Sequence, residues 1–168
     1  NGTYTVYAED AAGNAAVKTI AIANIFKTGP TIGLEPSTES LTNQPVTVTV
    51  GVQAEAGVDV VKYDFDDRDA AYFQTGGTTL DTSEPQIIVE SNGWLTVYAR
   101  DRAGNEAIRK LEVRNLDLVK PVITLIGDAE IRVPLGSAFT DPGYTAFDNR
   151  DQDITEQVRV SGDTVDTS

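Results

Sequence analysis

The sequence predicts an all-β chain built of repeated two-layer sandwiches, and three observations predict it. The eighteen residues from Asn1, NGTYTVYAEDAAGNAAVK, return from Asn92, 91 positions on, as NGWLTVYARDRAGNEAIR, which marks a tandem array of modules. The apolar residues are mostly Val, Ile, Ala and Tyr, with one Trp and no Met, a set that suits pleated, half-buried surfaces. Short alternating runs recur between turn residues, without a long run of period 3.6. A chain of this length then divides into small domains of roughly 75 to 100 residues, each with a modest core.

The first strand is Gly2 to Glu9, where Tyr4, Val6 and Ala8 alternate with Thr3, Thr5 and Tyr7. A turn through Asp10, Gly13 and Asn14 leads into a second, antiparallel strand, Ala16 to Ala23. Ile25 to Pro30 reads as a linker, because Gly29 and Pro30 interrupt pairing. The middle unit, 29–115, reads as seven strands: Thr31 to Glu35, Pro45 to Gln53, Val58 to Phe65, a short Ala71 to Phe73, Gln86 to Glu90, Trp94 to Arg100 and Ala107 to Val113. Their spacing predicts a complete two-sheet sandwich of about 90 residues. Val46, Val48 and Val50 alternate with Thr47 and Thr49, which puts one face of that strand in the core. Trp94 reads as a core anchor in preference to an exposed contact.

Asn115 to Pro121 repeats the linker, and a third unit follows over 119–168. Its expected strands are Val122 to Leu125, Ala129 to Pro134, Tyr144 to Asp148 and Thr155 to Ser161. Asp141-Pro142-Gly143 is a turn, with Pro setting φ and Gly accepting positive φ. Nothing like the Asn-Gly-x-x-Thr-Val-Tyr-Ala ending follows, so this unit is expected to lack its last two strands, whereas residues 1–25 are expected to be the last two strands of another.

Charge and composition exclude several functions. A net charge of −13 is spread over the chain, which keeps arrays soluble and disfavours nucleic acid, whose phosphates need clustered Lys and Arg. No stretch approaches the roughly 20 apolar residues that span a bilayer. With neither His nor Cys, Ser-His-Asp and Cys-His nucleophile systems cannot be assembled, and no disulfide can form. An enzyme is therefore not expected.

Residues 1–115 resemble bacterial Ig-like domains of Gram-positive surface proteins, through Asn92-Gly93, Thr96-Val97-Tyr98-Ala99, Asp101 and Ala103-Gly104-Asn105. Residues 119–168 resemble the bacterial Ig-like family known as DUF5011. The motifs are Ile123-Thr124-Leu125, Gly127-Asp128, Gly136, Phe139, Asp141-Pro142-Gly143, Ala146, Asp148, Asp151, Asp153-Ile154-Thr155, Val160-Ser161-Gly162 and Val165-Asp166-Thr167-Ser168. The resemblance implies immunoglobulin-like β-sandwich repeats serving as a non-catalytic spacer or adhesion-stalk module, extracellular, at the cell surface or cell wall, or secreted. Absence of Cys agrees with a bacterial source, since such domains fold on core packing alone.

Partners are expected to be neighbouring Ig-like domains of the same polypeptide and a cell-surface glycan or protein ligand. The terminal pieces, 1–25 and 119–168, are expected to complete each other, within one chain or between chains. An alternative function is a carbohydrate-binding accessory module, in which Tyr72, Phe73 and Trp94 form an outward aromatic platform. No cofactor is expected beyond Ca²⁺. Its hard oxygen ligands could come from Asp64, Asp66 and Asp67, or from Asp148, Asp151 and Asp153. Neither run has EF-hand spacing, so solvated turn carboxylates are the plainer reading. Asp10, Gly13 and Asn14, with their copies Asp101, Gly104 and Asn105, read as structural turns.

Overall fold

A computed structural model describes residues 1–166; Thr167 and Ser168, which close the last motif named above, lie outside the described residues. The chain forms two compact units, one of Asn1–Ser40 and Pro45–Leu116, the other of Leu41–Gln44 and the residues from Asp117 onward. Its regular structure is almost wholly antiparallel β, as the composition predicts.

Strands β1 (Gly2–Glu9) and β2 (Ala15–Ile22) pair from Gly2↔Ile22 to Glu9↔Ala15 and form a sheet of their own. Every residue of both strands is exposed. The hairpin is thus fully laddered yet lacks a core.

The middle sandwich runs through β3 (Thr31–Pro36), β4 (Val46–Gln53), β5 (Val58–Asp64), β6 (Thr78–Thr79), β7 (Gln86–Val89), β8 (Gly93–Asp101) and β9 (Glu106–Val113). One sheet has the order β3-β4-β7, the other β6-β5-β8-β9. Period-two alternation turns Val46, Val48 and Val50 inward from β4, and Leu95, Val97 and Ala99 inward from β8. Ile32, Val61, Ile87, Val89 and Val113 complete a single apolar core between the layers. Burying Leu95 and Val97 completely contributes roughly 1.5–3 kcal/mol for each side chain.

Strand β8 is buried on both faces, from Leu95 to Ala99. The connection after β5 folds back over its outer side. There Thr96 donates its hydroxyl to the Asp66 carbonyl at 2.7 Å, and the Phe73 ring stacks on Tyr98 with centroids 5.3 Å apart. The expected strand at Ala71 to Phe73 is instead a 3₁₀ turn, Tyr72–Gln74. Asp69 accepts the Tyr72 backbone N–H at 3.0 Å and turns the chain, and the Lys62 ammonium donates to the carbonyls of Phe73 (2.7 Å) and Gly76 (3.2 Å). Gly77, at φ +82, closes the loop where a Cβ would lie 2.6 Å from the Phe73 ring. The two-residue strand β6 was not foreseen, since two threonines carry no periodicity.

Trp94 corrects a second expectation. It is 39% exposed, because it lies on the face opposite Leu95 at the start of β8, before the Thr96 to Tyr98 stretch that the loop after β5 covers.

In the second unit, β10 (Val122–Leu125), β11 (Tyr144–Asp148) and β12 (Gln152–Asp153) form one sheet in that order. Ala129 to Pro134 is not a strand: the Pro134 carbonyl accepts the Ser137 N–H at 3.0 Å, and the segment enters a turn instead of a ladder. Thr155 to Ser161 likewise opens as a 3₁₀ turn, Thr155–Gln157. Asp153 accepts the Thr155 N–H, and the Thr155 hydroxyl accepts the Ala146 N–H, both at 3.0 Å, so local side-chain bonds outcompete strand pairing. Ala146 is the single buried apolar residue among the described residues from Asp117 onward.

Candidate functional site

The Asp-x-Ala-Gly-Asn turns are the most defined polar arrangement in the molecule. Asp101 Oδ1 accepts the backbone N–H groups of Ala103 (2.9 Å) and Asn105 (2.8 Å), and Oδ2 accepts the Asn105 side-chain amide (2.9 Å). Gly104 supplies the positive φ of +86 that the turn requires. Asp10 makes the same three bonds, to Ala12 (3.0 Å) and to Asn14 (2.9 and 2.8 Å). Hydrogen bonding by Asn105, its side-chain amide first, holds the buried Asp101 carboxyl below its ordinary value against the opposing effect of burial. The Asn14 amide does the same for Asp10. Asn105 also donates to the Phe26 carbonyl at 3.2 Å, which ties the turn to the linker that leads into β3. These are scaffold contacts, as the sequence suggested. The Asp141-Pro142-Gly143 turn has the same character: Asp141 accepts the Gly143 N–H at 2.8 Å, and Gly143 lies at φ +94.

The aromatic residues do not assemble into a platform. Phe73 is 1% exposed and stacked on Tyr98, which removes it from any surface and corrects that expectation. Tyr72 donates its hydroxyl to Asp64 at 2.7 Å, and the Arg68 guanidinium lies 4.5 Å from its ring centroid. The bond to Asp64 pushes the Tyr72 phenol above its ordinary value. Among the described residues, no ring contact joins Trp94 to either.

The acidic loops are also internally engaged. Arg68 bridges Asp64 (3.0 Å) and Asp66 (3.2 Å), and Asp67 pairs with Lys110 across the sheet. Asp148 Oδ1 accepts the N–H groups of Arg150 (2.8 Å) and Asp151 (3.0 Å), which lowers its carboxyl from the ordinary value, and Asp153 caps Thr155. Among the described residues, no three carboxylates are grouped as a cation site. Of the candidate Ca²⁺ ligands, Asp64, Asp66 and Asp67 face protein cations, and Asp148 and Asp153 accept backbone N–H groups.

Sequence reasoning missed one arrangement. Asn92 donates its side-chain amide to the Leu116 carbonyl (2.8 Å) and accepts the Leu116 N–H (2.9 Å). In the first hairpin, Asn1 accepts the Ile25 N–H at 2.9 Å. The signal was present, since both Asn-Gly pairs and the residues they grip stand 91 positions apart.

Residues 123–168 match the family described as bacterial surface protein, Ig-like domain. The match supports a bacterial surface Ig-like domain. The all-β structure, with two antiparallel sheets facing across one core in the middle unit, is that of an Ig-like β-sandwich. Among curated proteins, none matches the chain. The Ig-like family is one of surface-protein modules and implies an extracellular or surface location. Among the described residues, no helix is long and apolar enough to cross a membrane.

Proposed function

We propose that this chain is a non-catalytic spacer or adhesion-stalk module of a multidomain bacterial surface or secreted protein. One observation carries the reading. What recurs between the two copies of the hairpin is scaffold: Asn1 and Asn92 accept an N–H from the segment that leaves the hairpin, and Asp10 and Asp101 make the same three turn bonds. The exposed aromatic does not recur, for Thr3 stands where Trp94 stands in the second copy. A repeated module that reproduces its frame and varies its surface suits a part that holds distance, while recognition is left to other sites.

Small-angle scattering of the full chain combined with glycan-array binding tests this. The expected result is an extended scattering profile without glycan retention. Glycan binding that disappears on Tyr72→Ala or Trp94→Ala would overturn the spacer reading in favour of a carbohydrate-binding module.

A further inference from the structure

Asn92 and Gly93 stand where the chain enters β8, and both are exposed there. Among the asparagines, only Asn1 and Asn92 precede a glycine. That order of residues carries chemistry of its own. Glycine has no Cβ to keep its backbone nitrogen from the side-chain carbonyl carbon of the residue before it, so a five-membered imide closes there more readily than at other asparagines. Gly93 lies at φ +148, and a Cβ built on it would meet no atom beyond its chain neighbours within 4 Å, which leaves room for the ring and for water.

The side chain of Asn92 is held at both of its polar atoms by one residue. Nδ2 donates to the Leu116 carbonyl at 2.8 Å, and Oδ1 accepts the Leu116 N–H at 2.9 Å. Leu116 is 5% exposed and packs in the core, so the amide is clasped to a fixed point. The pair of bonds needs an amide. A carboxylate only accepts, so it keeps the N–H but sets a negative oxygen against the Leu116 carbonyl.

We propose that Asn92 is a self-modification site, which deamidates when its clasp on Leu116 opens and is protected while the clasp is closed. Ring closure turns the side chain away from Leu116 and onto Gly93. The Gly93 nitrogen attacks Cγ of Asn92; the N–Cγ bond forms, the Cγ–Nδ2 bond breaks, and ammonia leaves with the proton of the Gly93 amide. Water then opens the imide. Addition at Cγ gives an aspartate with the backbone intact, whereas addition at the backbone carbonyl gives an isoaspartate, whose main chain runs through Cγ and is one methylene longer at the start of β8. Either product lacks the donor to Leu116, so the clasp does not reform as it was. A transient opening is thereby recorded as a covalent change, with water as the sole co-reactant.

Peptide mapping by mass spectrometry tests the proposal on the full chain, kept at neutral pH either folded or in concentrated urea. In urea, Asn92 should convert faster than Asn24, Asn43, Asn115 and Asn149 and should yield both aspartyl and isoaspartyl peptides. In the folded chain its conversion should slow by about tenfold or more, as two backbone hydrogen bonds must open first. The effect of the product is read by hydrogen exchange on Asn92→Asp, with Trp94 fluorescence reporting that the sandwich is folded. Exchange should accelerate at Val113 to Leu116 while the β4–β7 ladder keeps its protection. The deamidated fraction of the wild-type chain, separated by anion exchange on its added negative charge, should show the same acceleration. Equal conversion in the folded chain and in urea, conversion in urea no faster than at Asn24, absence of the isoaspartyl peptide, or unchanged exchange near Leu116 in both the variant and the separated fraction would each overturn the proposal.

Discussion

Position in the fold, more than residue type, sets what each side chain contributes. Leu95 and Tyr4 occupy equivalent places in the repeat, yet one is enclosed and the other bare. Leu95→Ala should lower the unfolding free energy by about 2–5 kcal/mol in chemical denaturation, whereas Tyr4→Ala in the dilute monomer should stay within about 0.5 kcal/mol. At Asp101 the relevant variable is pH. Its folded carboxyl titrates below the ordinary 3.8, so its contribution is present above that value and is lost as pH falls through and beneath it. Thermal melts should therefore show a steepening loss of Tm on acidification past 3.8, and Asp101→Asn should lower Tm at neutral pH while flattening that slope. The turn role of Asp101 was legible because Asp, Gly and Asn each have a local backbone reason to stand there. The partners of Asp64, Asp66 and Asp67 were not, since Arg68 is a neighbour in sequence but Lys110 arrives from another strand.

Among the elements, strands with strict alternation were read within a residue or two of their bounds, and β1, β10 and β11 were read at their observed limits. Two failures fell where a side chain binds the backbone locally, as Asp69 does at Tyr72 and Asp153 at Thr155, and a third where Ala129 to Pro134 enters a backbone turn, because a short apolar run carries no information about such bonds. The loop over β8 depends on Lys62, whose ammonium gathers two carbonyls that strand periodicity cannot foretell. Lys62→Met should cost about 1–2 kcal/mol through these charge-assisted bonds. Hydrogen exchange should accelerate at Phe73 to Gly77 while the β3–β4 ladder keeps its protection.

Across the whole molecule, the sandwich class was legible from the 91-residue interval and from valine alternation, because both express the two-layer burial that forms the core. The engagement of the candidate ligand residues was less so. Phe73 is buried, against the outward platform of the alternative reading, and Trp94 is partly exposed, against its reading as a core anchor, since an aromatic side chain suits either the core or a surface.

The grip of Asn92 on Leu116 bears on how such a module would carry mechanical load. The chain leaves the sandwich at Leu116, and the two bonds from Asn92 fasten that exit to the foot of β8, the strand most enclosed by its neighbours. Tension arriving from beyond Leu116 would meet this latch before it could peel β9 from the sheet, so pulling would be shared between β8 and β9.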